Sequence, residues 1–167
     1  MNNQNIVEYE LISTKISSYF PQVAELYYRL IIVSCNACFG QSYRTPKINF
    51  QQIAHFSNSR YININLELSR VLLELTQRQR ALKVEGLLED IIGTTVNEVI
   101  FLEHLEILFD RSLEIDPLRC LQKLARNRII VALWSGIIEN NQLIYAEPGH
   151  AEYRRYPTAD FLVVNLE

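Results

Sequence analysis

The chain has 167 residues, 49% of them apolar, and a net charge of −3. This length and composition suit one domain with a sizeable core, and they exclude a disordered or low-complexity protein. The acidic balance gives no support to DNA or anionic-membrane binding by the surface as a whole, so any basic patch must be local. Because no apolar run is long enough to span a bilayer and the N-terminus is polar, we expect a cytosolic protein without membrane contact.

The N-terminal segment predicts two helices that pack on the domain as an extension. Apolar residues recur there at the spacing of an amphipathic helix that ends near Pro21. They are Ile6, Tyr9, Ile12, Ile16, Tyr19 and Phe20. A shorter helix over about 22–28 leads into the next element. We therefore assign 1–28 to helices packed on the domain and 29–167 to a single globular unit.

Four consecutive apolar residues, 30–33, predict a short strand buried on both faces, as parallel strands are. The loop behind it approximates the phosphate-binding spacing G-x-x-x-x-G-K-[ST], in which backbone N–H groups and the lysine hold phosphates and the hydroxyl holds Mg²⁺. Gly40 and Ser42 match this pattern, whereas Cys35 stands at the first glycine and Gln41 at the lysine. Gly40, Gln41 and Ser42 are candidate ATP and magnesium contacts, and the missing lysine predicts impaired chemistry.

Strand and helix patterns then alternate along the chain. Thr45-Pro46 delays the helix behind the loop until Phe50, and Asp116-Pro117 opens a later helix as N-cap and first residue. The further predicted strands are 61–64, 98–102, 129–133 and 161–164, and the predicted helices are 50–56, 66–75, 84–92 and 117–126. Asn140-Asn141 predicts the tip of a hairpin joining 136–139 to 143–145. This alternation predicts an α/β fold in which helices flank a mostly parallel five-stranded sheet.

The strand at 98–102 is followed by Glu103-His104. In a P-loop NTPase an acidic residue at this point holds Mg²⁺ through water, so Glu103 is the candidate catalytic residue. His104 occupies the next position, where a carboxylate often activates water. The alternative to a catalytic role is that Glu103 is simply the first polar residue after a core strand. Combined with the loop, the pattern favours a P-loop NTPase-like fold of the AAA/ASCE class, with ATP and Mg²⁺ bound weakly or not at all.

Basic residues cluster at two places that bear on function. Arg119, Lys123 and Arg126 share one face of the helix predicted at 117–126, which suits a phosphate-backbone contact, a partner contact or a solvated surface. Arg126 and Arg128 flank the start of the strand at 129–133, from where a neighbouring subunit's nucleotide could be reached in a homo-oligomer. A basic run at 78–83 is interpreted as a solvated connection between two helices.

The cysteines predict little chemistry. Three cysteines, an odd number, argue against a disulfide framework. Cys35 and Cys38 have the spacing of a redox pair, or of two metal ligands that His104 and His150 could complete. We expect no metal site and interpret the pair as small side chains of a reshaped loop.

The segment 146–157, AEPGHAEYRRYP, combines a Pro-Gly turn with one histidine, two acids and two arginines. His150 with Glu147 or Glu152 could form an acid–base pair. A turn held by arginine–glutamate pairs and tyrosine packing is the alternative.

Four blocks of the sequence resemble the BrxF family of P-loop proteins from BREX (bacteriophage exclusion) anti-phage defence systems. They are ININLELSRVLLEL (62–75), LEHLEILFD (102–110), DPLRCLQKLARNRIIVALWSG (116–136) and YAEPGHAEYRRYP (145–157). The resemblance implies a small P-loop NTPase-like domain encoded with a DNA methyltransferase, a PglZ-type phosphatase-like protein, a large ATPase and a helicase. These are its expected partners. The last block also contains motif residues of unknown role, namely Glu147, Gly149, His150, Arg154 and Arg155.

The sequence departs from the family pattern at the nucleotide site. Only Gly40 and Ser42 of the phosphate-binding loop match, and Glu103 replaces the usual aspartate. We therefore expect an accessory subunit of a BREX-type system that acts through protein partners, with impaired or absent ATP hydrolysis. One alternative is an active AAA-like ATP switch in which Arg126 or Arg128 acts between subunits. The other is a DNA-binding accessory subunit that uses the 119–126 basic face.

Overall fold

The structure is a computed structural model that describes residues 3–35, 48–96 and 98–166, with only the backbone described for 3–5. Its helices are α1 (Asn3–Ser17), α2 (Phe20–Ala24), α3 (Phe50–Phe56), α4 (Ile64–Leu72), α5 (Gln77–Ile92) and α6 (Pro117–Leu124), with 3-10 turns at Glu106–Phe109 and Arg111–Leu113. Its strands are β1 (Leu30–Ser34), β2 (Arg60–Asn63), β3 (Val99–Glu103), β4 (Ile129–Leu133), β5 (Ile137–Glu139), β6 (Gln142–Tyr145), β7 (Arg154–Pro157) and β8 (Leu162–Asn165). Across these ranges no helix combines the length and the apolar character that a membrane span needs.

Five strands form one parallel sheet in the order β2-β3-β4-β1-β8, which confirms the α/β fold with a five-stranded parallel sheet. The strand β1 lies inside the sheet and all five of its residues are buried, as its apolar run predicts. Ile31 is level with Val131 of β4 on one side and with Leu162 of β8 on the other. The sheet therefore places the end of β1 between two neighbouring strand ends.

The two faces of the sheet are covered by different elements. Ile31 and Val33 point into the apolar cluster formed with α1, α2 and α3, whereas Leu30 and Ile32 point into the cluster formed with α4, α5 and α6. The connection that leaves β1 runs to the far edge of the sheet, to β2. The connection that leaves β4 passes β1 in the other direction, to β8. The neighbours β1 and β4 thus form the topological switch point of the sheet.

A small antiparallel sheet, β5-β6-β7, connects β4 to β8 where the other connections use helices. Asn140 and Asn141 form its predicted hairpin tip with φ values of 50° and 57°. The strand β7 was not predicted, because its sequence, RRYP, lacks a strand's apolar alternation. The indole Nε1 of the fully buried Trp134 donates to the carbonyl oxygen of Ile144 at 3.1 Å and ties β6 to the end of β4.

Several predicted helix bounds are corrected by the structure. The helix expected at 66–75 is α4, which starts earlier because the Asn63 side chain caps it by accepting from Leu66 N. The helix expected from 84 begins at Gln77, where Thr76 and Gln79 form a capping box. The basic run at 78–83 therefore lies in α5 and not in a connection. The helix expected to reach 126 ends at Leu124.

The N-terminal helices also differ from their predicted bounds. The first helix ends at Ser17 rather than near Pro21, and the second spans Phe20–Ala24 with proline in its first turn. Tyr9 and Ile16 of α1 belong to the same buried cluster as Phe50 and Ile53 of α3. The N-terminal helices therefore pack directly on the sheet.

Candidate functional site

The carboxyl ends of the five parallel strands form one edge of the sheet, and polar residues collect there. Ser34 ends β1 level with Asn165 at the end of β8, and Asn63 ends β2 level with Glu103 at the end of β3. The ammonium group of Lys15, on α1, donates to the backbone oxygen of Asn165 at 2.6 Å and brings a positive charge to this edge. Ligands of open α/β sheets bind at the carboxyl edge beside the switch point, which makes it the candidate site.

Glu103 has a defined partner at this edge. The hydroxyl of Tyr61 on β2 donates to Glu103 Oε2 at 2.7 Å, and the Glu103 side chain is only 15% exposed. Burial and the bond to this carboxylate both raise the pKa of Tyr61, because they disfavour a second negative charge. Glu103 lies two residues after Phe101, a member of the α3 cluster, so alternation along β3 directs it to the α3 side of the sheet. That is the side on which the chain behind the predicted phosphate loop resumes.

His104 turns the chain away from the sheet. Its φ of 57° is a left-handed conformation that non-glycine residues adopt less often. Its carbonyl oxygen accepts from Asn65 N at 3.0 Å, which joins the end of β3 to the first turn of α4. The His104 Nε2 lies 3.9 Å from Glu103 Oε2 with the side chain 41% exposed. The site therefore holds one carboxylate between a tyrosine hydroxyl and an imidazole.

The predicted phosphate loop falls largely outside the described residues. Cys38, Gly40, Gln41 and Ser42 lie in 36–47, so their proposed roles stay predictions. On either side of that gap, β1 ends at Ser34 and α3 begins at Phe50 with the Asn49 side chain as its N-cap. The helix predicted from Phe50 begins there, whereas the interruption predicted at Thr45-Pro46 lies outside the described residues.

The cysteines differ in state. Cys35, directly after β1, is 4% exposed and disulfide-bonded, which corrects its interpretation as merely a small side chain of a reshaped loop. Cys120 on α6 is a free, buried cysteine. Burial raises its pKa to about 12, since an apolar surrounding disfavours the thiolate.

Arg126 and Arg128 lie at the amino edge of the sheet, before β4 begins. The Nη1 of Arg128 donates to the carbonyl oxygen of Gly93 at 2.6 Å, and the Arg126 guanidinium lies over the Tyr27 ring at 5.6 Å. Within one chain, therefore, the structure does not bring these arginines together with Glu103. Their proposed action on a neighbouring subunit's nucleotide stays a prediction.

The predicted basic face around α6 has mixed charge. Lys123 Nζ pairs with Glu85 at 2.5 Å, and this hydrogen bond raises the pKa of the lysine. A cavity of about 790 Å³ opens beside Lys123 and Arg126, but Glu89 and Asp90 also line it. The lysine's partner and the neighbouring acids reduce the positive potential that a phosphate backbone needs.

The segment 146–157 forms a tight turn that leads into β7. Gly149 adopts a φ of 93°, and His150 Nδ1 accepts from the backbone N–H of Glu152 at 3.1 Å. The structure therefore uses His150 to hold the turn and does not pair it with a carboxylate. Arg154 donates to the carbonyl oxygen of Tyr153, and Arg155 is exposed on β7. The hypothesis of arginine–glutamate pairs in this turn is not supported by its described side chains.

Sequence reasoning missed Tyr61 and Lys15 as residues of the carboxyl edge. The signal for Tyr61 was its position two residues before the end of a strand that neighbours β3. That signal becomes useful only once the register Tyr61↔Phe101 is known. Lys15 and its partner Asn165 are 150 residues apart in sequence, and no local pattern indicates such a contact.

The described residues of this edge offer one carboxylate, Glu103, as a ligand for a hard cation such as Mg²⁺. In the described part of the chain no group of three or more His, Cys, Asp or Glu side chains could hold a metal. A nucleotide-bound Mg²⁺ needs few protein ligands because phosphates and water supply the others, so the single carboxylate of Glu103 suits it. Compared with known proteins, the chain matches no family model and no curated protein.

Proposed function

We propose that the protein is a P-loop NTPase-type subunit that binds ATP and Mg²⁺ weakly at the carboxyl edge of its sheet and hydrolyses ATP slowly or not at all. The observation that carries this proposal is the geometry of Glu103. Its carboxylate stands at the carboxyl end of β3, on the α3 side, with one oxygen held by Tyr61. A carboxylate at this point can hold the water shell of a nucleotide-bound magnesium ion.

The surroundings of Glu103 support binding. The predicted phosphate loop follows β1 at the switch point, where phosphate groups would face the strand ends. Lys15 supplies a positive charge at the same edge, although Gln41 lacks one. When bound, Mg²⁺ would neutralise phosphate charge, and Glu103 with Ser42 are the residues proposed to hold it.

Three features favour impaired hydrolysis. Gln41 removes the charge that a lysine would place beside the transferred phosphate. The Tyr61 hydroxyl occupies Glu103 Oε2, so only the other carboxylate oxygen is left to accept from an attacking water. His104 follows Glu103 in place of a second carboxylate. We therefore favour a binding subunit over an active ATP switch.

Membership of a BREX-type defence system rests on the sequence resemblance. The structure adds that three resembling blocks meet in one aromatic cluster. Phe109 stacks on Tyr145 with ring centroids 3.6 Å apart, and Trp134 makes edge contacts with Phe109 and Tyr156. Blocks separated in sequence thus form one packed unit, with Arg155 exposed beside it for contact with protein partners.

The nucleotide part of the proposal is tested with two variants. We expect Gln41→Lys to bind ATP and Mg²⁺ at least about tenfold more tightly than wild type, because it restores a charge beside the phosphates. Phosphate release by wild type should not exceed that of Glu103→Gln. Wild-type hydrolysis that Glu103→Gln abolishes would instead establish the active ATP switch.

The partner part needs a separate experiment. We expect affinity purification of the tagged protein from its native host to recover products of the neighbouring defence genes. Deletion of its gene should raise the efficiency of phage plating. Unchanged plating together with no recovered neighbour would refute membership of a defence system.

A further inference from the structure

Tyr61 and Glu103 are joined across two neighbouring parallel strands. Tyr61 pairs with Phe101, which precedes Glu103 by two residues on β3. Tyr61 and Glu103 therefore lie on the same face of the sheet. Its ring packs against the buried cluster of α1, α2 and α3, and its hydroxyl reaches forward to Oε2 of Glu103. The ring is thereby fixed while the hydroxyl points to the carboxyl edge.

Among the described side chains, the second titratable group at Glu103 is His104. Its Nε2 lies 3.9 Å from the same Oε2, beyond a good hydrogen bond, whereas the tyrosine hydroxyl lies at 2.7 Å. The tyrosine is therefore the main donor to this oxygen. A hydrogen bond to an ionised carboxylate is among the stronger ones in proteins, so it restrains the direction in which Glu103 points.

We propose that Tyr61 is a positioning residue that holds Oε2 of Glu103 and leaves Oε1 as the oxygen that meets a magnesium-bound water. This inference rests on the proposed function. The hydroxyl competes with the magnesium water shell for the carboxylate charge and thereby weakens the contribution of Mg²⁺ to nucleotide affinity. Tyr61 thus favours weak, reversible nucleotide binding, and it disfavours tight magnesium binding and the activation of water by Glu103.

The test compares ATP binding with and without Mg²⁺ by isothermal titration calorimetry. Tyr61→Phe removes the hydroxyl and keeps the ring, so the core packing should survive. We expect the ratio of the affinities with and without Mg²⁺ to rise about tenfold in Tyr61→Phe, equivalent to about 1.4 kcal/mol. The affinity for ATP in EDTA should stay within about twofold of wild type, because the hydroxyl acts on the carboxylate and not on the nucleotide.

A matched control is Tyr28→Phe. Tyr28 is also partly buried against the core but lies before β1, at the opposite edge of the sheet. We expect it to leave the magnesium ratio unchanged. Glu103→Gln, which keeps an oxygen for Tyr61 but removes the charge, should lower the ratio below that of wild type.

The possible results separate the two levels of the proposal. An unchanged magnesium ratio in Tyr61→Phe, with ATP still bound and the melting temperature retained, would refute the positioning role and leave the proposed function intact. Absence of ATP binding by wild type, Gln41→Lys and Tyr61→Phe alike would refute both. If Tyr61→Phe fails to fold, the test relies on Glu103→Gln. The proposal is then contradicted if the ratio of ATP affinities with and without Mg²⁺ is the same in Glu103→Gln as in wild type.

Discussion

Gly136, between β4 and β5, allows a close approach that no larger residue can make. A Cβ at this position would overlap the carbonyl oxygen of Ile144 and lie 2.9 Å from Trp134 Nε1. These two groups form the hydrogen bond that ties the small sheet to β4. Gly136→Ala must therefore move the backbone of β6 or break this bond around a fully buried tryptophan.

The expected cost of Gly136→Ala follows from these contacts. Loss of one hydrogen bond costs about 1 kcal/mol, and forcing atoms into a packed region costs about 1–3 kcal/mol. We expect the free energy of unfolding to fall by about 2–4 kcal/mol. Urea denaturation measures it, with the emission of Trp134, the single tryptophan, as the probe.

Gly86→Ala is the matched control. Gly86 lies inside α5, and a Cβ there would meet nothing within 4 Å, so alanine should raise stability by about 1 kcal/mol through helix propensity. A Gly136→Ala variant within about 0.5 kcal/mol of wild type would refute the close approach, given that ordinary surface substitutions fall in that range.

Three further outcomes are expected. Asp116→Ala should cost about 1 kcal/mol in urea denaturation, because the Asp116 carboxylate accepts from Arg119 N at 2.8 Å as the N-cap of α6, and Asp116→Asn should recover most of the loss. Burial raises the pKa of Tyr156 from about 10 to about 12, so the folded protein holds this proton more tightly than the unfolded chain does. The stability that results is fully present below pH 10 and should be lost as the pH rises toward 12. The urea midpoint should therefore fall over that range in wild type and less in Tyr156→Phe; equal falls would contradict the assignment. Finally, gel-shift assays at physiological salt should detect no DNA binding by the wild-type protein. If they do detect binding, and alanine substitution of Arg119, Lys123 and Arg126 abolishes it, the result would favour the DNA-binding alternative.

The parts of the fold that sequence predicted depend on local patterns. The uninterrupted apolar run of β1 and the Asp116-Pro117 start of α6 each contain their whole signal within a few residues. The same holds for the Asn140-Asn141 tip, because asparagine tolerates the positive φ that this turn needs. The position of Glu103 at a strand end was likewise local, since it directly follows a buried run.

The missed parts depend on contacts between distant segments. The strand β7 is held by pairing with β6, for example Tyr156 opposite Leu143, and its own sequence carries no strand pattern. The partnership of Tyr61 with Glu103 depends on strand register. Arg126 and Arg128 lie before β4, at the strand entry that the sequence predicted, and their action on a neighbouring subunit's nucleotide stays a prediction. Sequence predicted Glu103 and the adjacent His104 of the candidate site, but not Tyr61 or Lys15, which reach it from distant segments.

The most direct test of the central claim is calorimetric titration of ATP with Mg²⁺ into the wild-type protein, followed by the same titration into Gln41→Lys. We expect a wild-type dissociation constant of about 0.1–1 mM, equivalent to roughly 4–5.5 kcal/mol, and tighter binding by the variant. No heat from either protein at millimolar ATP would contradict a nucleotide site at the carboxyl edge.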